Sequence, residues 1–200
     1  MAVPPCPSTA QKIAILIAVL FPLIALPLAI RRRRLGAAFT LVPMLAGGAA
    51  AYVQLGRVLL VMALTTTRAV AALSAGVAET QVPLIAGVCS SVLTALIAAF
   101  VARRHPDAAQ PNRIALWIAV VACAVVAVEP PFTFVFVRFA SYELFTIAAA
   151  FVGVGAIAAL IASRGAAARP LLIAAACEAC IGVEAWLVLR HFAHIAIYGR

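Results

Sequence analysis

Charge is what this 200-residue chain has least of. Only 10% of its residues are charged; six are acids, and Lys12 is the single lysine. A soluble domain of this length has too few polar side chains here to cover a composition that is 66% hydrophobic. The familiar signatures of soluble catalysis are missing as well: there is no Walker loop, no HExxH, no GxSxG and no dinucleotide-binding glycine pattern. Alternation of apolar and polar residues in ten-residue strands is also absent, which excludes a transmembrane β-barrel. The five cysteines, Cys6, Cys89, Cys123, Cys177 and Cys180, are odd in number, and four lie in or beside apolar runs, so they are no secreted disulfide framework.

What is present is a series of continuous Ala- and Leu-rich runs. They predict an all-α, polytopic transmembrane helix bundle, forming a single integral-membrane domain over residues 1–200. After an irregular tail (1–11), six spans are expected near 13–30, 36–53, 82–102, 113–128, 144–162 and 171–189. The block Arg31 to Arg34 acts as a stop-transfer signal for the first span and argues against a cleaved signal peptide. Gln54 to Gln81 holds Arg57, Thr65 to Arg68 and Glu79, and reads as an amphipathic segment lying at the outer interface or dipping into the protein. A full extra span there would invert everything that follows.

The net charge of +9 comes from arginines at the ends of the apolar runs. Such placement implies topology and contact with lipid headgroups, and no basic patch interleaved with aromatics suggests nucleic acid. Nine of the fifteen basic residues fall in the loops assigned to the cytoplasm, which puts the N-terminus outside and the protein in a cell inner membrane. Glu79 and Glu143 each precede a span, ending LIAAFVARR and AALIASRG, which suggests a faint internal duplication.

The sixth span carries the densest polar content. Cys177, Cys180, Glu184 and His191 are spaced to share one helical face, with His194 extending the stripe and Glu178 pointing elsewhere. Ionisable groups within lipid are costly, so Glu184, read as the acid deepest in any span, is a proton or cation relay candidate with His191 as the exit group. Its bland counterpart is a protonated Glu bonded to a neighbouring helix. Cys177 and Cys180 form a CxxC pair: a redox couple, part of a soft metal site, or packing residues on a helix interface. Vitamin K epoxide reductases and DsbB-type proteins use membrane CxxC motifs with further cysteines, and here no second pair exists. His191 is too far along the helix from Cys177 to share one ion, and neither a metal nor a cofactor is expected.

The segment LSAGVAETQVPLIAG, Leu73 to Gly87, resembles the MotA/TolQ/ExbB proton-channel family. Gly76, Val77, Glu79 and Gly87 match in type and spacing a G-I-x-E-A-L segment leading into a pore helix, and the likeness runs on to Arg104. It covers about thirty residues. Pro83 and Leu84 stand where that family has a pore threonine pair, and its large cytoplasmic insertion is missing. The resemblance implies a helix-lining subunit of an ion-driven complex, with Glu79 beside the pore.

Together these features predict an integral membrane protein that moves, or helps to move, protons or a small solute, with Glu184 and Glu79 titrating and His191 assisting. The alternatives are a non-conducting accessory subunit of a membrane complex and a membrane thiol oxidoreductase using Cys177 and Cys180. The partners implied are the lipid bilayer and a membrane-protein partner or a second copy of the chain.

Overall fold

The computed structural model describes residues 40–65, 70–104, 116–126, 145, 147–156 and 168–198, with isolated helical positions between 9 and 27. Secondary structure among the described residues is helical throughout. Among the described residues five helices are seen: α1 (Val42–Thr65), α2 (Val70–Arg104), α3 (Leu116–Val126), α4 (Ile147–Ala156) and α5 (Ala168–Tyr198). Most of the expected first span, the Arg31 to Arg34 block, Arg68, and the stretch holding Glu129, Arg138 and Glu143 lie outside the described residues.

Local chemistry explains where the helices start and stop. Pro43 and Pro170 sit in the first turns of α1 and α5, where a missing N–H removes no intrahelical bond. Arg103 and Arg104 close α2, where positive charge favours the helix dipole and Arg104 lies 4.4 Å over the Phe100 ring. The helix of the sixth expected span, 171–189, runs on past Leu189 to Tyr198. Nothing in that stretch breaks a helix, and Arg190 folds back over Trp186 at 5.6 Å.

Among the described residues two helices, Ala71–Arg104 and Ala168–Tyr198, are by length and composition long and apolar enough to cross a membrane. At 1.5 Å per residue, α2 is roughly 52 Å long and α5 roughly 46 Å, against a hydrocarbon core of about 30 Å. The spans expected at 82–102 and 171–189 lie inside these longer rods. Those expected at 113–128 and 144–162 contain the shorter apolar helices α3 and α4.

Central to the fold is α2, which packs against both α1 and α5. Both neighbours run antiparallel to it. Leu171 meets Ala98 and Ala99 at one end, and Gly182 faces Val88 nearer the middle. A core of Val88, Ile118, Ala122, Cys123, Ala149, Ala174, Cys177 and Ile181 joins α2, α3, α4 and α5. The small side chains among these let backbones approach closely, as suits helices that associate by packing.

Of the two readings of Gln54 to Gln81, the described residues Ser74 and Thr80 fit the one that dips into the protein. The first part of the segment completes α1 and its last part opens α2, so the two form the arms of a helical hairpin. The reason is packing: Gly76 is filled by Val58, whose Cγ1 would lie 2.7 Å from a Cβ there, and Ser74 and Thr80 are buried. Ser74 and Thr80 of this strip thus turn toward protein, while Arg57 is exposed.

A short sequence repeat explains the crossing of α1 and α2. TLVPMLAG, Thr40 to Gly47, and TQVPLIAG, Thr80 to Gly87, share Thr, Val, Pro, Ala and Gly in register. In the structure these two copies meet. A Cβ on Gly47 would run into the Pro83 carbonyl and come within 3.2 Å of the Gly87 Cα. A Cβ on Gly87 would run into the Pro43 carbonyl and come within 3.1 Å of the Gly47 Cα. The contact is therefore reciprocal, the relation expected of two like segments about a local two-fold axis. Pro83, buried within α2, cannot supply the N–H that the Glu79 carbonyl would otherwise accept.

Candidate functional site

Polar residues are concentrated where α1, α2 and α5 converge. Thr40, Thr80, Ser90, Ser91, Thr94, Glu178 and Glu184 are all buried, while Leu93, Phe100, Trp117, Phe151 and Trp186 are exposed. Buried polar groups need partners, and several find them locally. Thr94 Oγ1 donates to the Ser90 carbonyl at 2.8 Å, and Thr80 Oγ1 donates to the Val77 carbonyl at 2.6 Å. Gln81 Nε2 in turn donates to Thr80 Oγ1 at 3.1 Å, which tethers the amide one turn before Pro83.

One bond ties the helices across the junction: the Ser91 hydroxyl donates to the Thr40 carbonyl at the start of α1. Ser91 also lies beside the Glu178 carboxyl of α5. Glu178 is completely enclosed, at 0% exposure. Neither of its carboxyl oxygens has a hydrogen-bond partner among the described residues.

Glu184 lies six residues further along α5 and is also buried, at 4% exposure. It opens on a cleft of about 480 Å³ bounded by α1, α2, α3 and α5. Met44, Leu45 and Gly48 form one wall, Leu84 and Val125 another, and Ile181, Ala185 and Val188 flank the carboxyl. Glu184 and Gln81 are the polar residues in an otherwise apolar lining. Such a mix, mostly apolar with a few placed polar groups, is what small-ligand sites use.

The stripe drawn along α5 is thus only partly reproduced. Glu184 and Cys177 are buried, but Cys180 is half-buried and His191 lies on the last turns, edge-on to Phe192 at 5.4 Å. His194 is exposed and stacks against Tyr198 at 4.6 Å. Glu79 is half-buried on α2, ahead of Pro83. Glu178, set aside as pointing elsewhere, proves to be the more enclosed of the two acids on α5. Its helix is covered across a broad face, from Leu171 through Ala175 and Glu178 to Ala185. A single-stripe reading of α5 cannot reveal the second partner. The small residues Ala174, Ala175 and Ala185 were the available signal, since small side chains at adjacent positions allow close packing over a wide face.

The cysteine geometry also differs from the CxxC expectation. Cys177 meets Cys123 of α3, with the sulfurs 3.6 Å apart, and both side chains are wholly buried. Among the described residues no group of three or more His, Cys, Asp and Glu is placed to hold a metal ion. Comparison with protein-family models, with curated proteins and with solved structures finds no match to this chain.

Proposed function

We propose that this chain is a multi-pass inner-membrane protein that moves protons or a small solute, with Glu184 as the titrating group of its path. One observation carries the reading: a buried carboxyl at the head of a cleft that is otherwise apolar apart from Gln81. A carboxyl is expensive to hold in such surroundings and is kept where something must be bound or handed on. The inside-out distribution supports the membrane half of the reading. Large apolar residues such as Phe100, Trp117 and Phe151 face outward, while Ser, Thr and Glu side chains face inward. Lipid is a good solvent for that surface.

Six spans, with the N-terminus outside, remain the topology proposed. Antiparallel packing of α1 on α2 is what a second and a third span in succession would need. Glu79 and His191 take secondary places, on the entry to Pro83 and at the end of α5. The likeness of Leu73 to Arg104 to the MotA/TolQ/ExbB proton-channel family belongs to the same reading, and that whole segment lies on α2.

The test is proton flux in vesicles reconstituted with the full chain, compared with Glu184→Gln. Flux that vanishes in a variant that still inserts supports conduction past Glu184. Absence of flux from both, with co-purification of a membrane partner, would establish the accessory-subunit reading instead.

A second reading has one observation in its favour. The Cys123–Cys177 contact would suit a membrane thiol oxidoreductase better than the Cys177–Cys180 spacing does. It predicts that Cys177→Ser alone removes an activity measured with a quinone or a thiol partner.

A further inference from the structure

Charge in the cleft is of one sign. Glu184, at 4% exposure, supplies the carboxyl, and no Lys, Arg or His is among the described residues that line the space. An anion would meet a like charge there with nothing to offset it. Gln81 is the other polar side chain of the lining, and its Nε2 already donates to Thr80 Oγ1 at 3.1 Å. One carboxyl and one amide cannot replace the water around a sugar or a zwitterion, whose every polar group needs a partner once buried. A bare inorganic cation fails for a related reason. Hard cations such as calcium and magnesium take about six or more oxygen ligands, and this lining falls well short of that.

The rest of the cleft is apolar and roomy. A Cβ on Gly48 would have nothing within 4 Å, and Ala185 stands next to Glu184 on α5. Met44 adds a flexible thioether that can follow the shape of a ligand. The volume of about 480 Å³ falls within the range of small-molecule sites, about 300–1,000 Å³. No aromatic ring is among the described lining residues, so positive charge would be recognised by the carboxyl and not by a ring face. A cation whose charge is wrapped in hydrocarbon gives up little hydration on entry, so desolvation does not cancel its attraction to Glu184.

Resting on the reading of Glu184 as the working group of the path, we infer that the cleft takes an organic cation with an apolar body. The Glu184 carboxylate holds the charge, and the apolar walls enclose the hydrocarbon. The small solute of that reading is thereby given a chemical class.

The experiment is equilibrium dialysis of the full chain in detergent against tritiated methyltriphenylphosphonium, with protein-free micelles as the blank. One cation should bind per chain, saturably. Triphenylphosphine oxide has the same rings without net charge, and tetramethylammonium has the charge without the rings. Each should compete at least tenfold more weakly than unlabelled methyltriphenylphosphonium. Glu184→Gln should weaken binding at least tenfold. Gly48→Leu, which keeps the carboxylate and fills the cleft, should do the same, and it decides the matter if Glu184→Gln fails to fold. Equal competition by triphenylphosphine oxide would overturn the proposal, as would binding that survives either substitution in folded protein. Absence of saturable binding would overturn it too. If proton flux is nevertheless present and lost in Glu184→Gln, the path at Glu184 stands and only the ligand class is rejected. Saturable binding that depends on Glu184, in a chain that passes no protons, supports the ligand class while the proton path fails.

Discussion

Gly47 and Gly87 face each other across the crossing of α1 and α2, and each lies where the other's helix brings a proline carbonyl closest. The two glycines hold the same place in the two copies of T-x-V-P-x-x-A-G. Absence of a side chain at both is what lets the hairpin close. The arms that α1 and α2 contribute to the cleft are spaced by that contact.

Substitution at Gly47 therefore tests the crossing. Gly47→Ala puts a methyl against the Pro83 carbonyl, a backbone atom that cannot swing aside. A loss of about 1–3 kcal/mol is expected, the usual cost of overpacking. Gly87→Ala should do the same. Thermal or denaturant unfolding in detergent measures both, with Gly48→Ala as a near-neutral control because nothing lies within 4 Å of its Cβ.

Gly48 has a separate use, since it lines the cleft. Gly48→Leu should insert and fold, because its side chain enters open space, and should still lower flux by tenfold or more by filling the path. Unchanged flux in well-folded Gly48→Leu would show that the cleft is not on the path.

Gly182 and Val88 form the corresponding close approach between α2 and α5. A Cβ on Gly182 would lie 3.0 Å from the Val88 Cγ1, a side-chain atom that can give a little. Gly182→Val should destabilise the bundle, and Val88→Ala should restore part of the loss. A double-mutant cycle is expected to return a coupling of about 0.5–3 kcal/mol, as for residues in contact. Additive effects would mean that α5 sits elsewhere.

The buried thiols allow a direct check of how α3 packs. With the remaining cysteines changed to serine, Cys123 and Cys177 should cross-link under copper phenanthroline, which takes up the two electrons as the disulfide forms. The same experiment with Cys123 and Cys180 should give far less product, because Cys180 stands off the Cys123 contact. Gel mobility before and after reduction reads the result.

Much of the architecture was legible in the residues. Continuous apolar runs bounded by arginine predict helices, and the described chain is helical, with two rods long and apolar enough to cross a membrane. Glu184 could be singled out because a carboxyl in such a run is unusual anywhere. For Gln54 to Gln81 the residues left two readings open, interface or protein, because amphipathicity shows that one face is polar and does not say what covers it. For Ser74 and Thr80 the cover is protein.

Sequence by itself determined the helical class, the scarcity of charge and the short roster of acids, since these depend on composition and on periodicity along one chain. Only the tertiary structure decided that Cys177 belongs with Cys123, that Glu178 is enclosed beside Ser91, and that Glu184 borders a cleft. The physical reason is distance. A helix fixes the relation of residues three or four apart, whereas these partners come from different helices. Their meeting depends on which faces pack, and here the glycines at the crossings settled that.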